Sequence, residues 1–222
     1  MFKSIRWRFI LIYFLLVFFA MSIVGIYIVH QLESIQLEVN RTNMEKRIQS
    51  ILNSSEVLKT KEWDENVGEI KENIRSIQIS YNENLYIILD DEQKTIIAGS
   101  AEDIIGKSAF NTNSINNYIF TKSLDGTTQY TVSPDQYEET GENTENPNLY
   151  HMSYPVKMDG NIKGYIYLTN NIEYIYDTVN ESMEIMSQAT MIALTITIFL
   201  GFILSSTITG PIKELTYKAK RM

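Results

Sequence analysis

The sequence has no cysteine and only two histidines among its 222 residues. A chain without cysteine forms no disulfides and no thiolate metal sites, and this composition is compatible with an exported domain. His30 lies beside an apolar run, and His151 lies in a predicted strand with no metal ligand next to it in sequence. We therefore expect no metal site. A structural or surface role is favoured for His151, and proton sensing is the sharper alternative.

Familiar catalytic motifs are also missing. The sequence contains no HExxH, no GxSxG and no spaced acid pair that stands out from its many carboxylates. Residues 99–108 include Gly-Lys-Ser, but six residues rather than four separate the two glycines, which excludes a phosphate-binding loop. The acidic run 90–92 is typical of a solvated turn more than of a cation site. We expect no catalytic residue and no cofactor in these 222 residues.

Charge is absent from two runs, residues 9–29 and 189–208. About twenty helical residues span about 30 Å, the thickness of the hydrocarbon layer of a bilayer. The first run is longer than the apolar part of a signal peptide and no small-residue cleavage site follows it, which disfavours cleavage. Neither run contains an ionisable group, which argues against transport or proton relay. The sequence predicts two transmembrane helices.

The charges outside these runs predict their orientation. Lys3, Arg6 and Arg8 precede the first run, and four basic residues follow the second, whereas residues 30–188 carry 26 acidic and 12 basic side chains. By the positive-inside rule, residues 1–8 and 209–222 are cytoplasmic and residues 30–188 lie outside the cell membrane. The acidic outer segment argues against nucleic acid or anionic lipid as its partner, and the bilayer is the expected surroundings of the two spans.

The outer segment reads as an α+β domain. A helical stripe leaves the first span and resumes after the polar residues 40–43, and a second amphipathic helix follows at residues 67–79. Strands are predicted at 85–89, 95–98, 127–132, 149–156 and 164–169, with a hairpin turn at 157–161 and a mobile loop at 133–148. We expect one antiparallel sheet built on a long N-terminal helix.

The residues after the second span have the spacing of a packing helix. Gly210-Pro211 opens a seam in which apolar side chains recur every three or four residues, namely Ile212, Leu215, Ala219 and Met222. Pro211 has no amide donor and a fixed φ, so it can separate the span from the seam. We interpret the seam as a relay that passes a movement of the span inward.

Two stretches resemble parts of a known family. The run YIILDDEQKTIIAGSAEDIIGKS resembles the extracytoplasmic PAS-like or single-Cache sensor module. The run TITGPIKELTYKAKRM resembles the start of a HAMP linker, with its proline, aliphatic residue and Leu-Thr pair at Pro211, Ile212, Leu215 and Thr216. Residues 2–34 are similar to the N-terminus of WalK-type sensor histidine kinases of low-GC Gram-positive bacteria.

This resemblance implies a homodimeric membrane sensor whose chain continues through HAMP, a cytoplasmic PAS domain and a histidine kinase core. ATP and Mg²⁺ are expected only for that core. The resemblance also implies a cognate response regulator, control of cell-wall metabolism and regulation by small membrane proteins. In the family's fold a ligand pocket would lie near Tyr130, His151, Tyr165 and Tyr167, although core packing explains the same tyrosines as well.

Two other readings stay open. The same sensor region could serve a chemoreceptor or a nucleotide cyclase, and the sequence after Met222 would decide between these outputs. Alternatively, the chain is an envelope scaffold anchored twice, with its sheet as a docking surface for a protein. An extracytoplasmic enzyme is disfavoured by the missing catalytic constellation.

Overall fold

The computed structural model describes residues 5–134 and 148–219. Its helices and strands are, in chain order, α1 (Ile5–Ser54), α2 (Glu56–Thr60), α3 (Val67–Ser76), β1 (Glu83–Leu89), β2 (Ile96–Gly99), α4 (Asn117–Ser123), β3 (Gln129–Pro134), β4 (Asn148–Met158), β5 (Asn161–Asn171) and α5 (Glu173–Ala219). Two short 3₁₀ turns, Glu102–Ile104 and Ala109–Asn111, lie between β2 and α4. The structure confirms the α+β class. The predicted mobile loop falls mainly on residues 135–147, outside the described residues.

The chain divides into two units, one of residues 37–175 and one of the residues before and after them. Helix α1 is unbroken through the polar residues 40–43, as the resumed apolar stripe predicted. It ends at Ser54, and Ser55 caps α2 by accepting a hydrogen bond from the backbone N–H of Leu58. Serine at this position satisfies an amide that the helix leaves without a partner. The predicted domain limits at 30 and 188 stay predictions.

The five strands form one antiparallel sheet in the order β2-β1-β5-β4-β3. The two central strands, β4 and β5, are joined by the turn Asp159-Gly160, in which both residues have positive φ. A two-residue turn with this backbone matches the twist of the hairpin, which is why Asp-Gly is favoured there. The predicted strands and the hairpin are thus confirmed, with β4 and β5 longer than their apolar runs indicated.

One face of the sheet is covered by the chain between β2 and β3, and we call it the insert face. Its core contains Tyr86 and Ile88 of β1, Tyr165 and Tyr167 of β5, and Phe120 of α4. Because side chains alternate along a strand, every second residue of β5 belongs to this face. The aromatic alternation in β5 therefore marks the buried side of the sheet that faces the insert.

The opposite face packs against the second half of α1, and we call it the α1 face. Strands β4 and β5 contact this helix through polar side chains. Gln49 donates a hydrogen bond to the Tyr154 hydroxyl (2.8 Å), and Asn170 donates one to the Asn40 side chain (2.7 Å). Buried apolar residues fill the helix side of this layer, namely Met44, Ile48 and Ile51. The sheet is therefore covered on both faces.

The expected charged connector at residues 59–65 contains a core residue. The Trp63 side chain is 1% exposed, and its indole N–H donates to the Leu58 carbonyl oxygen. Its ring lies over Gly164, where a Cβ would come within 2.5 Å of two ring carbons. Trp63 thus packs on the α1 face at the one position of β5 that has no side chain.

The second unit consists of the first part of α1 and most of α5. Both helices contain segments that are long and apolar enough to cross a membrane. They pack closely where glycines occur: a Cβ on Gly25 would lie 3.5 Å from Met186 Cε, and one on Gly201 would lie 3.4 Å from Ile10 Cγ1. Large apolar side chains elsewhere on both segments are exposed, including Leu16 at 61%. A protein of this kind is consistent with a membrane location.

Candidate functional site

Tyr165 and Tyr167 pack in the core of the insert face. Their rings meet the Phe120 ring edge-on, with centroids 5.3 and 6.5 Å away. Both tyrosines are almost completely buried. Tyr165 donates a long hydrogen bond of 3.3 Å to Asp90, which Lys94 also binds at 2.6 Å. The two phenols therefore differ: the Tyr165 hydroxyl reaches a turn at the sheet end, whereas that of Tyr167 stays inside.

The Tyr167 hydroxyl joins a strand to a helix. It accepts a hydrogen bond from the backbone N–H of Asn116 at 2.7 Å and lies 2.9 Å from His151 Nδ1 on β4. A hydroxyl that accepts from an amide can still donate its own proton. The tautomer of His151 decides which of the two atoms donates in their hydrogen bond. Asn116 in turn caps α4 through its side chain.

Burial controls the protonation of this pair. His151 is 3% exposed, and desolvation lowers its pKa from 6.5 to about 4. Desolvation also raises the pKa of Tyr167, partly offset by its hydrogen bond to the Asn116 amide. Both groups are neutral at physiological pH. The site is thus a neutral hydrogen-bond chain from β4 through β5 to the start of α4, in which His151 and Tyr167 are buried.

A second polar link joins the same helix to the same strand. The Ser123 and Ser153 hydroxyls are 2.7 Å apart, and both residues are completely buried. Ser123 donates to the Phe120 carbonyl oxygen, so Ser153 is the donor to Ser123. Two hydrogen-bonded contacts therefore fix α4 against the two central strands, and a shift of α4 would break both.

Tyr130 lies on the α1 face, away from the other three candidate residues. The backbone register pairs Tyr130 with Met152, whereas His151 pairs with Thr131. Its ring stacks on Tyr150 at a centroid distance of 6.2 Å, and the Arg41 guanidinium lies 4.3 Å above it. The structure brings His151, Tyr165 and Tyr167 to one face of the sheet and separates Tyr130 from them.

Sequence reasoning missed the contact between Asn40 and Asn170. Asn40 is 2% exposed within α1, and its side chain accepts a hydrogen bond from Asn170 near the end of β5. Helix α5 begins three residues after Asn170. The position of Asn40 at the start of a polar run gave the only signal in the sequence, and that run was interpreted as a break in the apolar stripe. The structure shows it as a buried anchor between α1 and the sheet.

The predicted relay residues Pro211, Ile212, Leu215 and Ala219 lie in α5. The backbone stays helical through Gly210 and Pro211 to Ala219, so the expected separation of span and seam is not seen there. A proline inside a helix removes one amide donor and need not end the helix. The side chains of these four residues lie outside the described part of the structure.

Acidic turns surround one end of the sheet. Asp91 accepts hydrogen bonds from the backbone N–H and the hydroxyl of Thr95, and Asp90 pairs with Lys94. Within residues 5–134 and 148–219, no three acidic or histidine side chains are placed to hold a metal ion. Asp90 and Asp91 thus bind groups of the protein itself.

Comparison with known proteins gives one consistent relationship. No family model matches the chain. The chain is similar to the sensor protein kinases WalK of Staphylococcus aureus strains JH9, Newman and USA300, with 27% identity to each over 99% of its length. It spans 35% of the length of these curated relatives. This end-to-end similarity supports a relationship to sensor histidine kinases.

Proposed function

We propose that the chain is the membrane sensor region of a two-component sensor histidine kinase. The observation that carries this proposal is the similarity to sensor protein kinases over 99% of the chain but only 35% of the relatives. Two helices apolar enough to cross a membrane and a five-stranded domain encoded between them support it. In this proposal the kinase core, with its ATP and Mg²⁺, belongs to the remainder of the parent protein.

The sheet domain is the sensing part in this proposal. It has a PAS or Cache-like layout, lies outside the cell membrane, and works in a homodimer with both termini in the cytoplasm. A signal shifts the domain between two packings, and it does so only by as much as its affinity differs between them. Two hydrogen-bonded contacts, through Tyr167 and Ser153, hold α4 against the sheet. In this proposal the second packing breaks these contacts, so the two packings differ at the insert face. In this proposal the signal is an envelope or extracellular one, and the pathway serves cell-wall homeostasis.

Helix α5 carries the output. It runs without interruption from the end of β5 through the apolar segment to Ala219. In this proposal a displacement of its first turns moves the span and changes the packing of the seam that begins a HAMP linker at Pro211. The kinase core then phosphorylates a response regulator, and small membrane proteins adjust the response.

The test is to fuse residues 1–222 to a histidine kinase core and to change the length of the junction. One alanine inserted between Thr209 and Gly210 rotates the seam by about 100° relative to the span. We expect this insertion to change autophosphorylation in vesicles at least fivefold. Seven inserted residues make nearly two turns and restore the seam to within about 20°, so this variant is the matched control.

A helical relay predicts altered autophosphorylation for the one-residue insertion and parental autophosphorylation for the seven-residue insertion, whereas simple tethering predicts parental activity for both. If the one-residue and seven-residue variants both keep the activity of the parent fusion, the helical relay is wrong. If the parent fusion is inactive in vesicles but supports methylation-dependent signalling in a chemoreceptor fusion, the output class is wrong. The orientation is tested separately, by labelling single cysteines introduced into a chain that has none.

A further inference from the structure

A groove between α1 and α5 lies in the membrane-helix unit and has a volume of about 590 Å³. This volume is in the range of about 300–1,000 Å³ that is usual for sites that bind small molecules. The two helices run antiparallel, since Gly25 approaches Met186 and Ile10 approaches Gly201. The groove begins at the Gly25 level and extends toward Glu33 and Tyr176.

The lining of the groove changes along its length. At the Gly25 end it holds Ile26 and Met186 together with Ser187 and Thr190, and the Thr190 hydroxyl donates to the Met186 carbonyl oxygen of its own helix. At the other end it holds polar side chains, with Glu33 of α1 and Tyr176 and Asn180 of α5. Tyr176 has a raised pKa because of desolvation and the nearby Glu33 carboxylate, which places these two groups close together. The one acidic residue of the lining thus lies at the end away from Gly25, where an amphiphile would place its head group.

The depth of this pattern matches a bilayer surface under the proposed topology. Val29 ends the first uncharged run, and with a rise of about 1.5 Å per residue Glu33 lies about 6 Å beyond it. The polar layer on each side of a bilayer is also about 6 Å thick. The polar end of the groove therefore lies at the depth of lipid head groups, and the Gly25 end lies at the depth of the first acyl carbons.

We propose that this groove binds an outer-leaflet lipid with an uncharged head group that carries hydroxyls. This inference rests on the proposed two-span topology. Among its described lining residues Glu33 is the one with a full charge, and none is lysine or arginine. A carboxylate repels a lipid phosphate, whereas the carboxylate, the phenol of Tyr176 and the amide of Asn180 can all hydrogen-bond to hydroxyls.

A helix from a second copy fits this groove less well. Covering the polar end with protein would bury Glu33, and a buried carboxylate without a cation or hydrogen-bond donors is costly. The sequence has no lysine or arginine between Arg8 and Arg41, or between Lys163 and Lys213. A second copy of either helix would therefore bring no lysine or arginine to Glu33. A hydroxyl-rich head group would supply donors to it.

The test uses the 222-residue chain in vesicles that contain equal amounts of a monoglycosyl-diacylglycerol and phosphatidylglycerol. The chain is extracted in mild detergent, and bound lipids are counted by native mass spectrometry. We expect one glycolipid per chain, retained at least fivefold over phosphatidylglycerol. Met183→Trp fills the groove and should abolish retention. Ile185→Trp, on the exposed side of the same helix, is the matched control and should retain the glycolipid.

A charge reversal gives an independent readout. Glu33→Lys should shift the retained lipid toward phosphatidylglycerol, because the groove then attracts a phosphate. The proposal is overturned if the parent chain retains no glycolipid or shows no preference, or if the two tryptophan variants behave alike. Spontaneous disulfide dimers of Met183→Cys would also overturn it, since a second copy would then cover the groove.

A separate labelling experiment on intact cells distinguishes failure of the proposed topology from failure of the lipid site alone. Tyr118→Cys, at an exposed position of the sheet domain, should react with a membrane-impermeant maleimide if that domain lies outside. Labelling without lipid retention would overturn only the lipid site. Absence of labelling in intact cells, with labelling after lysis, would overturn the topology and the lipid site together.

Discussion

The Tyr167 hydroxyl lies 2.9 Å from Nδ1 of His151 on the neighbouring strand and also binds the backbone N–H of Asn116. One phenol therefore connects a buried imidazole with the first turn of α4. The link is made of neutral groups and lies inside the sheet domain. Its energetics can be tested by pH and by substitution.

Acid should weaken the domain through His151. Its pKa is about 4 in the folded protein and 6.5 as the ordinary value, so the unfolded chain binds the proton first. Above pH 6.5 this group therefore leaves the free energy of unfolding unchanged. The free energy of unfolding falls as the pH drops from 6.5 to 4, and below that range it is lower by about 3 kcal/mol. Urea unfolding of the Trp7→Phe chain in detergent micelles, followed by Trp63 fluorescence, measures it.

The control for this prediction is His151→Gln, which keeps an acceptor and cannot titrate. The variant should be less stable at pH 7.5, and its stability should change less between pH 6.5 and 4.5 than that of the parent. Equal pH dependence in the two proteins would mean that other groups govern acid unfolding.

Removal of the Tyr167 hydroxyl should destabilise the domain more than removal of the Tyr165 hydroxyl. Tyr167→Phe leaves the Asn116 amide and the His151 ring nitrogen without this buried partner, at a cost of about 1–3 kcal/mol. Tyr165→Phe loses one bond of 3.3 Å to a carboxylate that Lys94 also holds, so we expect a smaller effect. Free energies of unfolding in urea compare the two variants, and a larger loss in Tyr165→Phe would contradict the assignment.

The contact between Asn40 and Asn170 should show a pairwise coupling. A single alanine substitution at either position removes the partner of the remaining amide, which is buried at Asn40 and half-buried at Asn170, and the double variant removes both groups. We expect a coupling free energy of about 0.5–3 kcal/mol in a double-mutant cycle. Asn53→Ala, at an exposed position of the same helix, is the control and should couple to Asn170→Ala by less than about 0.5 kcal/mol.

Alanine substitutions at two glycines should change the free energy of unfolding in opposite directions. At Gly164 a Cβ would overlap the Ile88 carbonyl oxygen and the Trp63 ring, so Gly164→Ala should destabilise the domain and red-shift Trp63 fluorescence. Overpacking of this kind typically costs about 1–3 kcal/mol. At Gly68 in α3 a Cβ meets nothing within 4 Å, and Gly68→Ala should stabilise by up to about 1 kcal/mol. A stabilising Gly164→Ala would show that Trp63 does not pack there.

The periodicity of the sequence predicts most of the secondary structure. Helix α1 follows its apolar stripe, and β1 and the β4–β5 hairpin follow their apolar runs and the turn at Asp159-Gly160. The extra length of β4 and β5 was not predictable from that pattern. Polar residues such as Asn170 and Asn171 join β5 because backbone pairing across the sheet satisfies their amides, which depends on the neighbouring strands.

The faces on which the candidate residues lie could not be predicted without the pairing register of the strands. Tyr130 and His151 both lie in predicted strands, but a shift of one residue in pairing would exchange their faces. The burial of Trp63 was hidden by the charged residues around it, since its packing depends on Gly164 about a hundred positions away. Contacts between distant segments, such as Tyr167 with Asn116, leave no local pattern in the chain.

The place of β1 in the sheet has a consequence for how the domain folds. Its partners include β5, with Leu89 opposite Gly164 and Glu83 opposite Asn170. The β1–β2 pair can form early, whereas the centre of the sheet cannot close until nearly the whole domain has been synthesised. Pairing between segments so far apart in sequence is slow, so the pairing of β1 with β5 should limit the folding rate. Until then the apolar β1 has one open edge, so truncation before β5 should yield an aggregating chain.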